Sequence, residues 1–99
     1  MNVVAVVEQD LVPAVVLHEV ASESAPRLFA VVEEYGEGEV RAAGYGLAYA
    51  ERAEVDAVEG GFRLSSDSAE SARALFEISS RSAGVRRVHL VWLDEAGAP

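Results

Sequence analysis

Residues 67–93 read DSAESARALFEISSRSAGVRRVHLVWL, and this stretch decides the fold. Its first half has a helical period. Ala69, Ala72, Leu75, Phe76 and Ser79 recur at spacings of three, four and seven, and Ile78 widens the apolar stripe. The pattern predicts a helix over 67–83. Asp67 with Glu70 three positions later has the form of a capping box. Arg73 and Glu77, four apart, make a stabilising pair on the outward side. Arg81 suits the negative end of the helix dipole, and Gly84 suits the left-handed residue that follows a helix. The second half, Arg86–Leu93, is rich in branched and aromatic residues and reads as a strand.

Upstream of this unit the sequence reads as strands. Val3–Glu8 and Val12–Val20 are apolar, β-branched runs, the second with Pro13 near its start, where a missing N–H is tolerated. Arg27–Tyr35 and Val40–Ala50 flank Gly36-Glu37-Gly38 and predict a hairpin over 27–50. Two shorter runs, Glu54–Val58 and Phe62–Ser65, surround Gly60-Gly61. The fold class is therefore α+β: an antiparallel sheet of about five or six strands, with one main helix (67–83) before the last strand. The alternative is a curled, barrel-like or sandwich-like sheet capped by that helix. A chain of 99 residues suits a single domain, 1–99, with 94–99 a frayed tail.

Strand parity extends the reading. On Val40–Ala50 one face is Val40, Ala42, Gly44, Gly46, Ala48 and Ala50, nearly flat, so the helix or a ligand must approach the backbone closely, or the strand must bend. The other face carries Arg41, Ala43, Tyr45, Leu47, Tyr49 and Glu51. Val12–Val20 and Arg86–Leu93 are apolar on both faces, more than one helix can cover. Closure into a barrel satisfies those faces within one chain. A homodimer satisfies them between two.

Composition excludes several chemistries. Cysteine is absent, which removes disulfides, thiolate metal sites and thiol catalysis, and no cofactor is implied. The only two histidines, His18 and His89, share no metal-ligand spacing. The first ten residues have no basic n-region, and no apolar run approaches the roughly 20 residues that span a bilayer. A cytoplasmic location without membrane contact is expected. Lysine and threonine are absent and isoleucine occurs once, the codon bias expected of a GC-rich bacterial genome.

Charge is uneven. Residues 1–59 hold twelve acids against three arginines, whereas 60–99 hold five of each, so the whole net charge of −9 sits in the first part. This argues against nucleic acid, which needs a clustered positive footprint, and favours a protein partner with a basic surface. Glu33, Glu34, Glu37 and Glu39 surround the Gly36–Gly38 turn, with Tyr35 among them as an aromatic anchor. Tyr45 and Tyr49 extend that candidate partner-binding patch along the next strand. The alternation of acids in a calcium loop is missing.

A second candidate is a ligand pocket between sheet and helix, bounded by His18, Gly44, Gly46, His89 and Trp92. A general base would require the two histidines to be close, oriented by Glu19 or Asp94. Ser65-Ser66 and Ser79-Ser80 match no nucleophile elbow, and Gly44-Tyr45-Gly46 lacks the rest of a phosphate loop. No catalytic residue is assigned. The expected function is a small acidic, non-enzymatic protein-interaction module, a cognate inhibitor, immunity-type protein or accessory subunit. A small-ligand-binding protein or minor enzyme is the alternative.

Overall fold

A computed structural model of the chain describes residues 12–80 and 83–94. The described elements are α1 (Ala14–Glu23), β1 (Arg27–Tyr35), β2 (Val40–Ala48), β3 (Ala53–Ala57), β4 (Arg63–Ser66), α2 (Ala69–Ser79) and β5 (Val85–Trp92). The strands form one five-stranded sheet in the order β4-β3-β2-β1-β5, and every neighbouring pair is antiparallel. The first four strands are a meander. The chain then crosses one face of the sheet through α2 and returns as β5 on the far side of β1. Because β4 and β5 are the two edges and do not pair, the sheet is open. The α+β class with a helix before the last strand holds, and the barrel-like alternative does not.

The hairpin forms as its glycines require. Gly38 has φ +87, and the turn is closed by Gly38 N–H donating to Tyr35 O at 3.0 Å and Tyr35 N–H donating to Glu39 O at 2.8 Å. The β2 strand stops at Ala48, where Tyr49 N–H turns to Arg52 O at 2.7 Å. The register of β1 against β2 shifts between Val31 and Val32, so Ala43 is an extra residue, a β-bulge. This corrects the parity reading of β2. Val40 and Ala42 lie on the opposite face from Gly44 and Gly46.

The core lies between α2 and one face of the sheet. Phe29, Val31, Ala53, Val55, Ala69, Ala72, Phe76 and Val88 are its buried residues. Gly44 and Gly46 are flat because large side chains lie over them. A Cβ on Gly46 would stand 2.6 Å from Phe29 Cζ, and one on Gly44 2.7 Å from Val55 Cγ1 and 3.2 Å from Phe76 Cζ. Close packing, not a ligand, fills that space.

Helix α2 begins one residue later than the capping-box pattern predicts. Ser68 is the N-cap: its backbone is extended and its Oγ accepts from Ser71 N–H at 3.1 Å, the bond that Asp67 was expected to supply. Glu70 pairs forward instead, with Arg73 at 2.7 Å, and Arg73 also reaches Glu77 at 3.1 Å as expected. The helix ends at Ser79, short of 83, with the Ser80 hydroxyl donating to Phe76 O at 2.7 Å. Gly84 has φ +85 but lies beyond the helix cap, and Arg81 is outside the described residues, as are the Val3–Glu8 strand and the tail after Asp94. Asp94 accepts from Arg27 Nε at 2.9 Å.

The largest departure is at the start of the described chain. Val12–Val20, expected as a strand, is mostly helix α1, with Pro13 at its N-cap and Pro13 O accepting from Leu17 N–H at 3.2 Å. None of its residues is buried, and among the described residues no element packs extensively against it. Among the described residues, no helix is long and apolar enough to cross a membrane.

Candidate functional site

Residues directly opposite across antiparallel strands share a face, so the register identifies what lies on the side away from α2. Leu28 stands opposite Leu47, and Ala30 between Tyr45 and Val91. Val32 stands between Ala42 and His89, and Glu34 between Val40 and Arg87. Leu28, Val40, Tyr45, Leu47 and Val91 are between 38% and 61% exposed, and no described element covers them. Towards β3 and β4 the same face turns charged, with Glu54 opposite Leu47, Asp56 opposite Tyr45, and Arg63 opposite Asp56 and bonded to it at 2.8 Å. The open face is thus an apolar field over β2, β1 and β5 with a charged margin.

A polar pair marks the hairpin end of this field. His89 Nε2 lies 2.8 Å from Glu34 Oε1. That hydrogen bond holds the Glu34 carboxyl below its ordinary value, with a smaller contribution from Arg87 and against the opposing effect of burial.

The other face of the hairpin carries a separate cluster. Glu33 is buried, and Tyr35 donates to its Oε1 at 2.8 Å, while Arg41 Nη2 donates to Tyr35 Oη at 2.6 Å. The bond to Glu33 raises the Tyr35 phenol above its usual range. Arg41 also lies 3.8 Å from Glu59. With Phe62, Phe76 and Ser80, these groups line a cleft of about 240 Å³ at the C-terminal end of α2.

The expected sites are therefore redistributed. The acidic tip is not one patch, because adjacent residues on a strand point to opposite sides. Glu33 and Tyr35 turn towards the α2 side with Arg41, Glu34 joins His89 on the open face, and Glu37 and Glu39 stay on the exposed turn. Tyr45 is on the open face, whereas Tyr49 stacks under Arg52 at 4.1 Å beyond the end of β2. The pocket expected between sheet and helix does not form as drawn. Phe29, Val55 and Phe76 occupy the space above Gly44 and Gly46, and Trp92 packs on Phe29 at 5.5 Å beneath Arg27. His18 is on α1, not on a strand, and its ring is exposed beside Ser22 at 3.4 Å. The two histidines have different partners and form no base pair.

Leu28, Leu47 and Val91 are exposed apolar residues of the open face that the sequence reading did not single out as candidates. Their alternation with buried neighbours was the available signal. Among the described residues, no group of three histidine or acidic side chains could hold a metal ion. Comparison with family models, curated proteins and solved structures gives no match.

Proposed function

We propose that this chain is a small acidic, non-enzymatic protein-interaction module, of the accessory-subunit or cognate-inhibitor kind, that docks through the open face of its sheet. The observation that carries this reading is the bare apolar field of Leu28, Val40, Tyr45, Leu47 and Val91 on a sheet whose other face carries the core and α2. Those five side chains leave on the order of 450 Å² exposed, within the range in which the largest patch on a monomer is commonly functional. Tyr45 at the centre is the residue type on which interface energy concentrates. The charged margin and the Glu34–His89 pair fix orientation at the rim, where polar groups contribute specificity and encounter rate more than affinity. An outside partner is a protein with an apolar patch bordered by basic groups, since the chain carries a net −9.

The test is capture of binding proteins by immobilised wild type and by Leu47→Glu, whose side chain is outside the core. Partners held by wild type and lost with Leu47→Glu support docking through the face. Partners held equally by both overturn it.

The cleft beside Arg41 favours a second reading, binding of a small ligand that offers an acceptor to Arg41 and an apolar body to Phe62 and Phe76. At about 240 Å³ it is smaller than most drug-sized pockets, so the ligand would be small. A thermal-shift screen in which hits disappear with Arg41→Ala supports this reading, and a screen that moves nothing removes it.

A further inference from the structure

Two exposed apolar surfaces stand out among the described residues. One is the open sheet face. The other is on α1, where Val16, Leu17, Val20 and Ala21 lie on one side, with Glu23 at its margin beside Val16, and His18, Glu19 and Ser22 lie on the other together with the exposed Val15. Val16, Leu17 and Val20 are between 40% and 59% exposed. An isolated helix of this length is marginal in water, because helices in proteins draw most of their stability from packing an apolar face. That side of α1 therefore needs a surface to lie on.

We propose that a second copy of this chain supplies it, with α1 of each copy lying on the open sheet face of the other. The inference rests on the reading that the open face is a docking surface. The connection between α1 and β1 favours exchange over folding back. Only Ser24, Ala25 and Pro26 join them, and a residue preceding proline is driven towards extended backbone, which carries α1 off the end of β1.

The areas also match. The three α1 side chains leave on the order of 300 Å² bare, which the sheet field can cover, so reciprocal exchange hides on the order of 1,200 Å² in all, the lower end for a specific stable interface. A two-fold arrangement makes the contact self-complementary and closed. The opposite side of α1 remains outward, which keeps Glu19 in solvent with Val15 beside it.

Because the chain has no cysteine, single-cysteine variants report the contact cleanly. Val16→Cys and Leu47→Cys are prepared separately, mixed, and treated with a short bismaleimide, and molar mass is followed by light scattering. Exchange predicts a cross-linked dimer several-fold more abundant in the mixture than in either variant alone, and an uncross-linked mass of twice 10.5 kDa. It also predicts that Val16→Glu weakens self-association at least tenfold without changing the melt of the monomer, since Val16 touches no core residue. Efficient cross-linking of Leu47→Cys alone would mean that the two faces meet directly, which overturns the helix exchange and leaves docking through the face intact. A mass of 10.5 kDa at all concentrations, with no cross-link, overturns the second copy as occupant. The capture experiment above then decides separately whether the face binds another protein.

Discussion

Replacing Gly46 with alanine tests the packing on which this sheet depends. The added Cβ would stand 2.6 Å from Phe29 Cζ, 2.9 Å from Phe29 Cε1 and 2.7 Å from Glu54 O. The phenylalanine ring has nowhere to retreat, because it is fully buried and packs on Trp92, and the Glu54 carbonyl is part of the β2–β3 ladder. Overpacking of this kind costs about 1–3 kcal/mol, and the gain from removing a strand glycine returns only about 0.5–1 kcal/mol. The net loss of about 1–2 kcal/mol lowers the urea midpoint by about 1 M and the Tm by roughly 5–15 °C for a chain of this size. Gly36→Ala is the control. Its Cβ would meet nothing within 4 Å and its φ is not positive, so it should be neutral or stabilising by up to about 1 kcal/mol. Both variants are melted at one protein concentration, so that self-association shifts them equally. A Gly46→Ala protein as stable as wild type would refute the argument, since Phe29 could not then lie over that backbone.

Three further outcomes follow from the same structure. Ser68→Ala should lose about 1 kcal/mol through the lost N-cap, while Asp67→Ala changes thermal stability little; the reverse ranking would restore the cap to Asp67. Glu34 and Asp94 are both held below their ordinary values of 4.5 and 3.8, by His89 and by Arg27, so their contribution is complete above those values and is lost as pH falls through the depressed native ones. Wild type should therefore exceed Glu34→Gln in denaturant stability at neutral pH, and the difference should close in acid; a gap that widens in acid reverses the sign. Salt separates the two kinds of partner. Two chains of net −9 repel, so dimer mass by light scattering should rise with ionic strength, whereas binding to a basic protein should weaken, and a dimer that dissociates in salt would contradict the apolar contact.

Much of the fold was legible because local signals agreed. Helix α2 combines a 3.6-residue period with a polar N-terminus, and the β1–β2 hairpin is set by Gly36 and Gly38 between two branched runs. Helix α1 was not legible for a specific reason. Val12, Val16 and Val20 are spaced by four, which satisfies both an alternating strand and a helical stripe, and their β-branching tips the choice towards strand. A strand preference is realised only beside a partner strand. The site divides similarly. Tyr45 could be found by parity, but the bulge at Ala43 depends on the register with β1, so the placement of Val40 and Ala42 needed the pairing itself. Arg41 and Glu59 belong to one cluster only through the tertiary fold.

The core and the open apolar field lie on different faces of this sheet, and that separation makes the proposed docking testable. The residues that close the core, Phe29, Val31, Val55, Phe76 and Val88, all lie on the α2 side, and none of them contributes to the open field. Polar substitutions at Leu47 or Tyr45 therefore remove apolar surface from an interface without opening a cavity in the core. The cost of leaving the field bare falls on solubility instead. An exposed β-sheet face of this kind invites non-specific association, and the net −9 together with the Asp56–Arg63 and Glu34–His89 pairs along its margins opposes it. A surface that is apolar at the centre, charged at the rim and dispensable for the core has the anatomy of an association site.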